Sequence, residues 1–191
     1  MNLHRFPIAL ALFAATGSAM AHSGHGGESF FAGFAHPFGG LDHLLAMLAV
    51  GLFAARQQGA LRWALPATFI VAMIGGALLG AAGVALPLVE TGIAASVLVF
   101  GLLIAVVAQL PARASLPLVA VFALFHGHAH HTEMGDGALL TFAAGFALAS
   151  VALHCAGYLL ARWLPRSRAG LALQRVLGGL IAAAGAAFLA G

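Results

Sequence analysis

Long apolar runs separated by short polar connections account for most of the chain. Six such segments follow one another, at about 33–55, 62–83, 88–109, 115–131, 137–161 and 174–190. Most of them approach the ~20 residues that a helix needs to cross ~30 Å of hydrocarbon. The pattern predicts an all-α fold, a polytopic membrane helix bundle with six transmembrane helices. No stretch long enough for a separate soluble domain remains outside these segments.

The first 21 residues have a different pattern, which is typical of a secretory signal peptide. His4 and Arg5 precede an apolar stretch, and Ala19-Met20-Ala21 forms an A-x-A cleavage site. We therefore expect a cleavable signal peptide at 1–21 and a six-helix transmembrane domain at 22–191. An uncleaved first helix is the alternative, and in both cases residue 22 lies outside the cytoplasm.

Composition supports a membrane protein and argues against a nucleic-acid partner. Of the 191 residues, 62% are hydrophobic and 7% are charged, whereas a soluble domain averages roughly 25% charged residues. We therefore expect the lipid bilayer to cover most of the exterior. The net charge of +3 comes from arginine, since lysine is absent, and the arginines form no basic patch. Cys155 is the one cysteine, so the chain cannot form an internal disulfide.

The arginines predict how the bundle is oriented. If the mature N-terminus is periplasmic, the connections after helices 1, 3 and 5 face the cytoplasm. Every arginine of the mature chain falls on that side: Arg56, Arg62, Arg113, Arg162, Arg166, Arg168 and Arg175. Trp63 and Trp163 each follow an arginine, as an aromatic belt predicts. We expect a multi-pass protein of the bacterial inner (cytoplasmic) membrane. Helices 1–3 and 4–6 run in opposite senses, as an inverted repeat requires, but sequence similarity is too weak to establish one.

The first group of residues that carries chemistry lies at the periplasmic end of helix 1. It consists of His36, Asp42 and His43. An ionised Asp at bilayer depth costs about 2.5–3.5 kcal/mol on insertion scales, so it needs a partner. On a regular helix, Asp42 points about 100° away from His43. The intervening Gly39-Gly40 could break the helix and bring all three side chains together; a purely structural role for Asp42 is the alternative.

The second group lies at the periplasmic end of helix 4. His126, His130 and Glu133 are spaced i, i+4, i+7 and so lie along one stripe of the helix. Imidazole and carboxylate suit a borderline divalent metal such as Ni²⁺, Co²⁺ or Zn²⁺. His128 and His131 point elsewhere on an unbroken helix, as ligands or as rim residues. Because both groups lie at the same end of the bundle, they could form one metal site.

Other polar residues are weaker candidates. Glu90, near the outer end of helix 3, could join the metal site or be an interfacial carboxylate. His22 and His25 precede the first helix, and cleavage after residue 21 would give His22 a free α-amino group that helps to collect metal. His154 lies deeper on helix 5. A packed core histidine is the simpler interpretation of His154, and a position on the exit path is the other.

Together these residues resemble the HupE/UreJ family of hydrogenase and urease accessory permeases. That family carries H-x5-D-H in its first mature helix, matched by His36, Asp42 and His43, and F-H-G-x-A-H-G-x-E in the fourth. The second motif is matched by Phe125, His126, Gly127, Ala129, His130 and Glu133. His131 stands where the family usually has glycine, which adds a possible ligand. The resemblance implies nickel uptake, with cobalt next, whereas the spacing alone indicates only a divalent transition metal.

We therefore expect a permease that takes the ion from periplasm to cytoplasm, with no permanently bound cofactor. We expect neither an enzyme nor an ATPase subunit, because the chain lacks the metalloprotease pattern H-E-x-x-H and the nucleotide-binding pattern G-x-x-x-x-G-K-[ST]. A haem protein would leave Asp42 and Glu133 unexplained. A membrane metal sensor or chaperone that does not transport is the main alternative.

Overall fold

The computed structural model describes residues 29–133, 139–165 and 167–191, and this part of the chain is helical. The all-α class is therefore confirmed. A 3₁₀ turn at His36–Phe38 separates the first two helices. The helices are α1 (Phe30–Ala35), α2 (Leu41–Ala54), α3 (Leu61–Ala81), α4 (Val89–Ala105), α5 (Ala112–Glu133), α6 (Leu139–Trp163) and α7 (Arg168–Ala190). The predicted signal peptide, His22 and His25 lie outside the described residues.

Three of the described helices, α3, α6 and α7, are long and apolar enough to cross a membrane. The bent pair of α1 and α2 is a fourth candidate if it forms one span. Helix α4 is apolar but has only 17 residues. Helix α5 has 22 residues, and its four histidines lower its hydropathy. These helices indicate a multi-pass membrane protein, and the number of six spans stays a prediction.

The first predicted segment, 33–55, is not one continuous helix. Helices α1 and α2 meet at an angle of 84°. Pro37 lies at the start of the 3₁₀ turn, and Gly40 adopts an extended conformation with φ −113° and ψ 124° before α2 begins. The break at Gly39-Gly40 that the sequence allowed is therefore present. It places His36 before the bend and His43 in the first turn of α2.

Glycines allow the helices to approach each other closely. Gly76 of α3 lies against the backbone of Leu124, and Gly127 of α5 lies against the carbonyl of Met73. Any Cβ at either position would collide with the opposite backbone. Gly80, four residues after Gly76, lies against the His131 side chain. Small residues thus hold α3 and α5 at short range, as they do in membrane bundles.

Helices α2 and α6 repeat this arrangement. Gly51 of α2 lies against the His154 carbonyl, and Gly157 of α6 lies against Leu48. In each helix pair, one helix carries a leucine followed three residues later by a glycine. That leucine meets the partner's glycine, and the glycine itself meets the partner's carbonyl. The pair formed by α2 and α6 therefore corresponds to the pair formed by α5 and α3.

The remaining long helices, α4 and α7, pack symmetrically on each other. Gly101 of α4 lies against Ala182, and Gly178 of α7 lies against Ala105. On each helix the glycine and the alanine of these contacts are four residues apart, so the two helices present equivalent positions to each other. The contacts of the three helix pairs α3–α5, α2–α6 and α4–α7 thus match each other when the chain is divided into two halves, α1–α4 and α5–α7. The two halves are therefore related by an approximate two-fold axis. This is the packing expected of an inverted repeat.

The connections that carry arginine meet at one end of the bundle. Gln57 Nε2 donates to the Ala108 carbonyl at 3.1 Å and so links the α2–α3 and α4–α5 connections. A cavity beside them is lined by Arg56, Gln109 and Arg162. We call this the arginine end, and the opposite end, where α2 and α4 begin, the histidine end. The side of the membrane that each end faces stays a prediction.

Candidate metal site at the histidine end

Four histidines from two separate parts of the chain lie in mutual contact. His36 comes from the 3₁₀ turn, His43 from α2, and His126 and His130 from successive turns of α5. The ring centroids are 4.8 Å apart for His36 and His130, 4.6 Å for His43 and His130, and 4.9 Å for His43 and His126. We call these four residues the histidine cluster. The two groups that the sequence suggested could meet do lie side by side.

Asp42 contacts the cluster through His43. Its Oδ1 lies 2.8 Å from His43 Nδ1 and 2.7 Å from the His43 backbone nitrogen. A carboxylate only accepts, so Nδ1 carries the proton of this imidazole. His43 is thus the partner that the Asp42 carboxylate needs in an apolar segment, and the place of Asp42 in the first turn of α2 also suits the helix dipole. Its position orients His43 rather than adding a direct ligand.

Ser96 of α4 holds His126 in a similar way, a contact that the sequence did not predict. The Ser96 hydroxyl donates to the Ile93 carbonyl at 2.7 Å, so its oxygen accepts from His126 Nε2, 2.9 Å away. Both Ser96 and His126 are fully buried. The pattern of bonds therefore places the His126 proton on Nε2. A serine on a third helix could not be linked to this histidine from spacing alone.

These two contacts determine which imidazole nitrogens remain open. His43 Nε2 and His126 Nδ1 are buried and have no hydrogen-bond partner among the described residues. Each carries a lone pair, because the proton is on the other nitrogen of its ring. A buried acceptor without a partner costs about 1–3 kcal/mol. A divalent cation that accepts both lone pairs would offset that cost, so the donor set suits a transition metal.

A polar cavity of about 530 Å³ adjoins the cluster at the histidine end. It is lined by His36, Asp42 and His43 together with Glu90, which is an exposed residue in the first turn of α4. The structure thus brings Glu90 to the same cavity as the first group of residues. The cavity therefore carries two carboxylates beside two imidazoles of the cluster.

Three other candidate metal ligands, His128, His131 and Glu133, are not part of the cluster as the structure describes it. His128 Nε2 donates to the Val84 carbonyl at 2.8 Å, which ties α5 to the α3–α4 connection. His131 packs against Gly80 of α3. Both histidines therefore point away from the cluster, as an unbroken helix requires. The side chain of Glu133 is outside the described part of the chain.

The cluster is not a closed coordination sphere. Among the residues described, no three histidine, cysteine or carboxylate side chains are arranged to hold a metal ion as they stand. The rings of His36 and His130 meet edge to face at 89°, as do those of His43 and His126. In this conformation the side-chain nitrogens of the described residues are not grouped around one point. Binding would require rotation of the imidazoles about their side-chain bonds.

Aromatic rings pack against three of the four histidines of the cluster. The ring centroid of Phe146 is 3.9 Å from that of His130, and Phe142 lies 5.6 Å from His36. Phe69 of α3 packs against His126 at 5.5 Å. These phenylalanines could not be recognised from the sequence, because in a chain with 14 of them none is distinctive. They give the site a low dielectric constant, which strengthens any interaction between a cation and its ligands.

Comparison with known proteins agrees with the motifs. The family model described as HupE / UreJ protein matches residues 10–188. The chain belongs to the HupE / UreJ family. A curated member, Protein HupE of Rhizobium leguminosarum bv. viciae, is 43% identical over 192 residues and is covered along 100% of both chains. No solved structure matches the chain. The resemblance inferred from the two histidine motifs is therefore confirmed.

Proposed function

We propose that this family member is a permease for a divalent transition metal, nickel first and cobalt next. The ion moves from periplasm to cytoplasm through the histidine cluster. The observation that carries the proposal is the buried contact between His43 and His126, each with one open nitrogen. Neutral imidazole nitrogens are ligands for Ni²⁺ and Co²⁺, whereas Mg²⁺ and Ca²⁺ prefer oxygen. The family resemblance, rather than the geometry, favours nickel among transition metals.

The polar cavity serves as the entrance. A hydrated ion reaches it from the periplasm, helped by His22 and His25, and meets Glu90 and Asp42. It sheds water as the imidazoles of the cluster bind, and Asp42 and Glu133 offset its charge. Binding then has to replace hydration and still allow release. Membrane potential favours entry of a dication by ~2.3 kcal/mol per charge per 100 mV.

Nickel accumulation in cells tests this proposal. We expect His43→Ala and His126→Ala to abolish uptake at matched expression, because each removes an open nitrogen. His131→Ala is the matched control, since it removes an imidazole of the same helix that lies outside the cluster. Uptake equal to wild type in both cluster variants would contradict the site. Competition of labelled nickel by cobalt and zinc would establish selectivity.

A membrane sensor or chaperone that binds metal without moving it is the second candidate. The same buried nitrogens support it, since they account for binding and not for release. Purified protein in sealed liposomes distinguishes the two. Nickel inside the vesicles, rising with time and driven by an imposed potential, supports the permease. Binding to the protein without accumulation supports the sensor.

A further inference from the structure

A cleft between α3 and α6 opens on the outer surface of the bundle. It has a volume of about 410 Å³, and its exposed lining is almost wholly apolar. Val151, Cys155 and Leu159 form part of its wall on α6, and all three are exposed. His154 also lines the cleft, but both of its ring nitrogens are buried, so the ring presents carbon there. The cleft therefore suits an apolar ligand from the bilayer rather than a hydrated ion.

The cleft runs along both helices over most of one leaflet of the membrane. Its lining residues extend from Val151 to Leu159 on α6 and from Arg62 to Ile70 on α3. Eight residues of α-helix, at 1.5 Å each, cover ~12 Å, and one leaflet is half of the ~30 Å hydrocarbon core. Arg62 is the second residue of α3, at the arginine end. The cleft thus begins at that membrane surface and has the depth of a lipid acyl chain.

A cation and two aromatic rings lie at the mouth of the cleft. Among the described residues, Arg62 is the only charged one that lines it, and Arg62 is exposed. The Arg62 guanidinium carbon lies 5.7 Å from the ring centroid of Trp63. Trp63 in turn stacks on Tyr158, with the ring centroids 5.1 Å apart. Tryptophan and tyrosine are enriched at the level of the lipid head groups, so the arginine is positioned to meet a head group.

We propose that this cleft binds an anionic phospholipid of the leaflet at the arginine end. One acyl chain fills the apolar cleft, and the lipid phosphate accepts from the Arg62 guanidinium, whose planar fork of N–H groups matches phosphate oxygens. Basic pockets between membrane helices recognise lipid head groups in this way. No residue of the histidine cluster lines the cleft, so the lipid site does not depend on the proposed permease function.

Charge favours a lipid over a second copy of the chain as the occupant. Two copies that packed here about a two-fold axis would bring two Arg62 side chains together. The described residues that line the cleft include no carboxylate to pair with them, and an unpaired charge is costly to bury. The phosphate of an anionic lipid supplies the missing negative charge and leaves the guanidinium at the membrane surface.

Fluorescence of Trp63 reports on the occupant of the cleft. The chain has two tryptophans, and Trp163 does not line the cleft, so Trp163→Phe leaves Trp63 as the only indole. This purified protein is reconstituted in phosphatidylcholine vesicles with rising fractions of phosphatidylglycerol or phosphatidylcholine that carries bromine, a contact quencher, on its acyl chains. We expect half-maximal quenching at an about fivefold lower fraction of the brominated phosphatidylglycerol, the gain from one arginine near an anionic head group. Equal fractions for the two lipids would overturn the proposal.

Arg62→Gln, made in the same protein, tests the head-group contact. We expect it to remove the preference of Trp63 for phosphatidylglycerol, whereas Arg113→Gln should keep it. Arg113 is the matched control, because it is exposed in the first turn of α5 and is followed by Pro117, as Arg62 is followed by Pro66. A preference that persists in Arg62→Gln, or that both variants lose equally, would show that surface charge alone attracts the lipid and would overturn the proposal.

A phenylalanine placed in the cleft tests the acyl-chain contact. Ala67→Phe fills the wall on α3 and leaves Arg62 in place, so we expect it to remove the preference. Val71→Phe adds the same ring on the exposed surface of α3, outside the cleft, and should leave the preference intact. A single peak in gel filtration excludes misfolding of either variant. Persistence of the preference in Ala67→Phe would refute the site, as would a Trp63 that neither lipid quenches because a second copy covers it.

Discussion

Removal of the Ser96 hydroxyl tests whether the orientation of His126 matters for metal binding. In wild type, Ser96 accepts from His126 Nε2 at 2.9 Å and so keeps Nδ1 unprotonated and open. Ser96→Ala leaves the Nε2 proton buried without an acceptor. The imidazole can then place its proton on Nδ1 instead, which blocks the nitrogen that is open in wild type. The variant therefore changes the donor set without removing any histidine.

The expected loss of nickel affinity in Ser96→Ala follows from the hydrogen bond between Ser96 and His126. Loss of a group that orients a metal-bound histidine typically costs 10–100-fold in affinity, which corresponds to about 1.4–2.8 kcal/mol. An unsatisfied buried donor also destabilises the fold by about 1–3 kcal/mol. We therefore expect the nickel concentration for half-maximal uptake to rise 10–100-fold and thermal stability to fall.

Nickel uptake at a series of concentrations, with calorimetric titration of the purified protein, measures this change. Ser115→Ala is the matched control, because Ser115 is equally buried but donates only to the Pro111 carbonyl, at 3.2 Å. The control should lose some stability and keep its nickel affinity. If Ser96→Ala and Ser115→Ala show the same affinity as wild type, Ser96 does not set the state of His126.

Two further substitutions test the neighbouring contacts. Asp42→Asn should lower nickel affinity about tenfold, because the amide can still accept from His43 but no longer offsets the charge of the ion; an unchanged titration curve would contradict this. Gly127→Ala should prevent α3 and α5 from packing, since the added Cβ meets the Met73 carbonyl, and so lower the yield of monodisperse protein. Gly179→Ala is its control, because a Cβ there meets no atom within 4 Å; equal loss in both would show that helix packing is not the cause.

The spacing of residues along one helix was sufficient to predict those parts of the candidate site that lie on that helix. His126 and His130 are four residues apart, so their common face follows from helical geometry. The same geometry placed His128 and His131 on other faces, where the structure has them. The angle of about 100° between Asp42 and His43 on an ideal helix did not predict their contact. Neighbouring side chains in a first turn can bend towards each other, and the 2.8 Å contact results.

Contacts between distant helices could not be obtained from the sequence. Ser96 lies 30 residues from His126, and no periodicity within either helix links them. The bend between α1 and α2 was only suggested by Gly39-Gly40, since glycine permits a break without requiring it. The two-fold relation was also hidden, because the residues that reveal it, such as Gly51 and Gly127, are single small residues in a chain with 25 glycines. Their spacing becomes meaningful once their partners are known.

The repeated glycine contacts show that the helix packing is alike in the two halves of the protein, whereas the side chains around these contacts differ. A framework with two equivalent, oppositely oriented halves has no intrinsic outside or inside. Side chains at matching positions provide the difference. His126 precedes Gly127, whereas Val50 precedes Gly51; three residues after those glycines stand His130 and Ala54. The difference between the two halves therefore lies in a few side chains on a symmetric backbone. Under the proposed permease function, the direction of transport could be altered at these positions without changing how the helices pack.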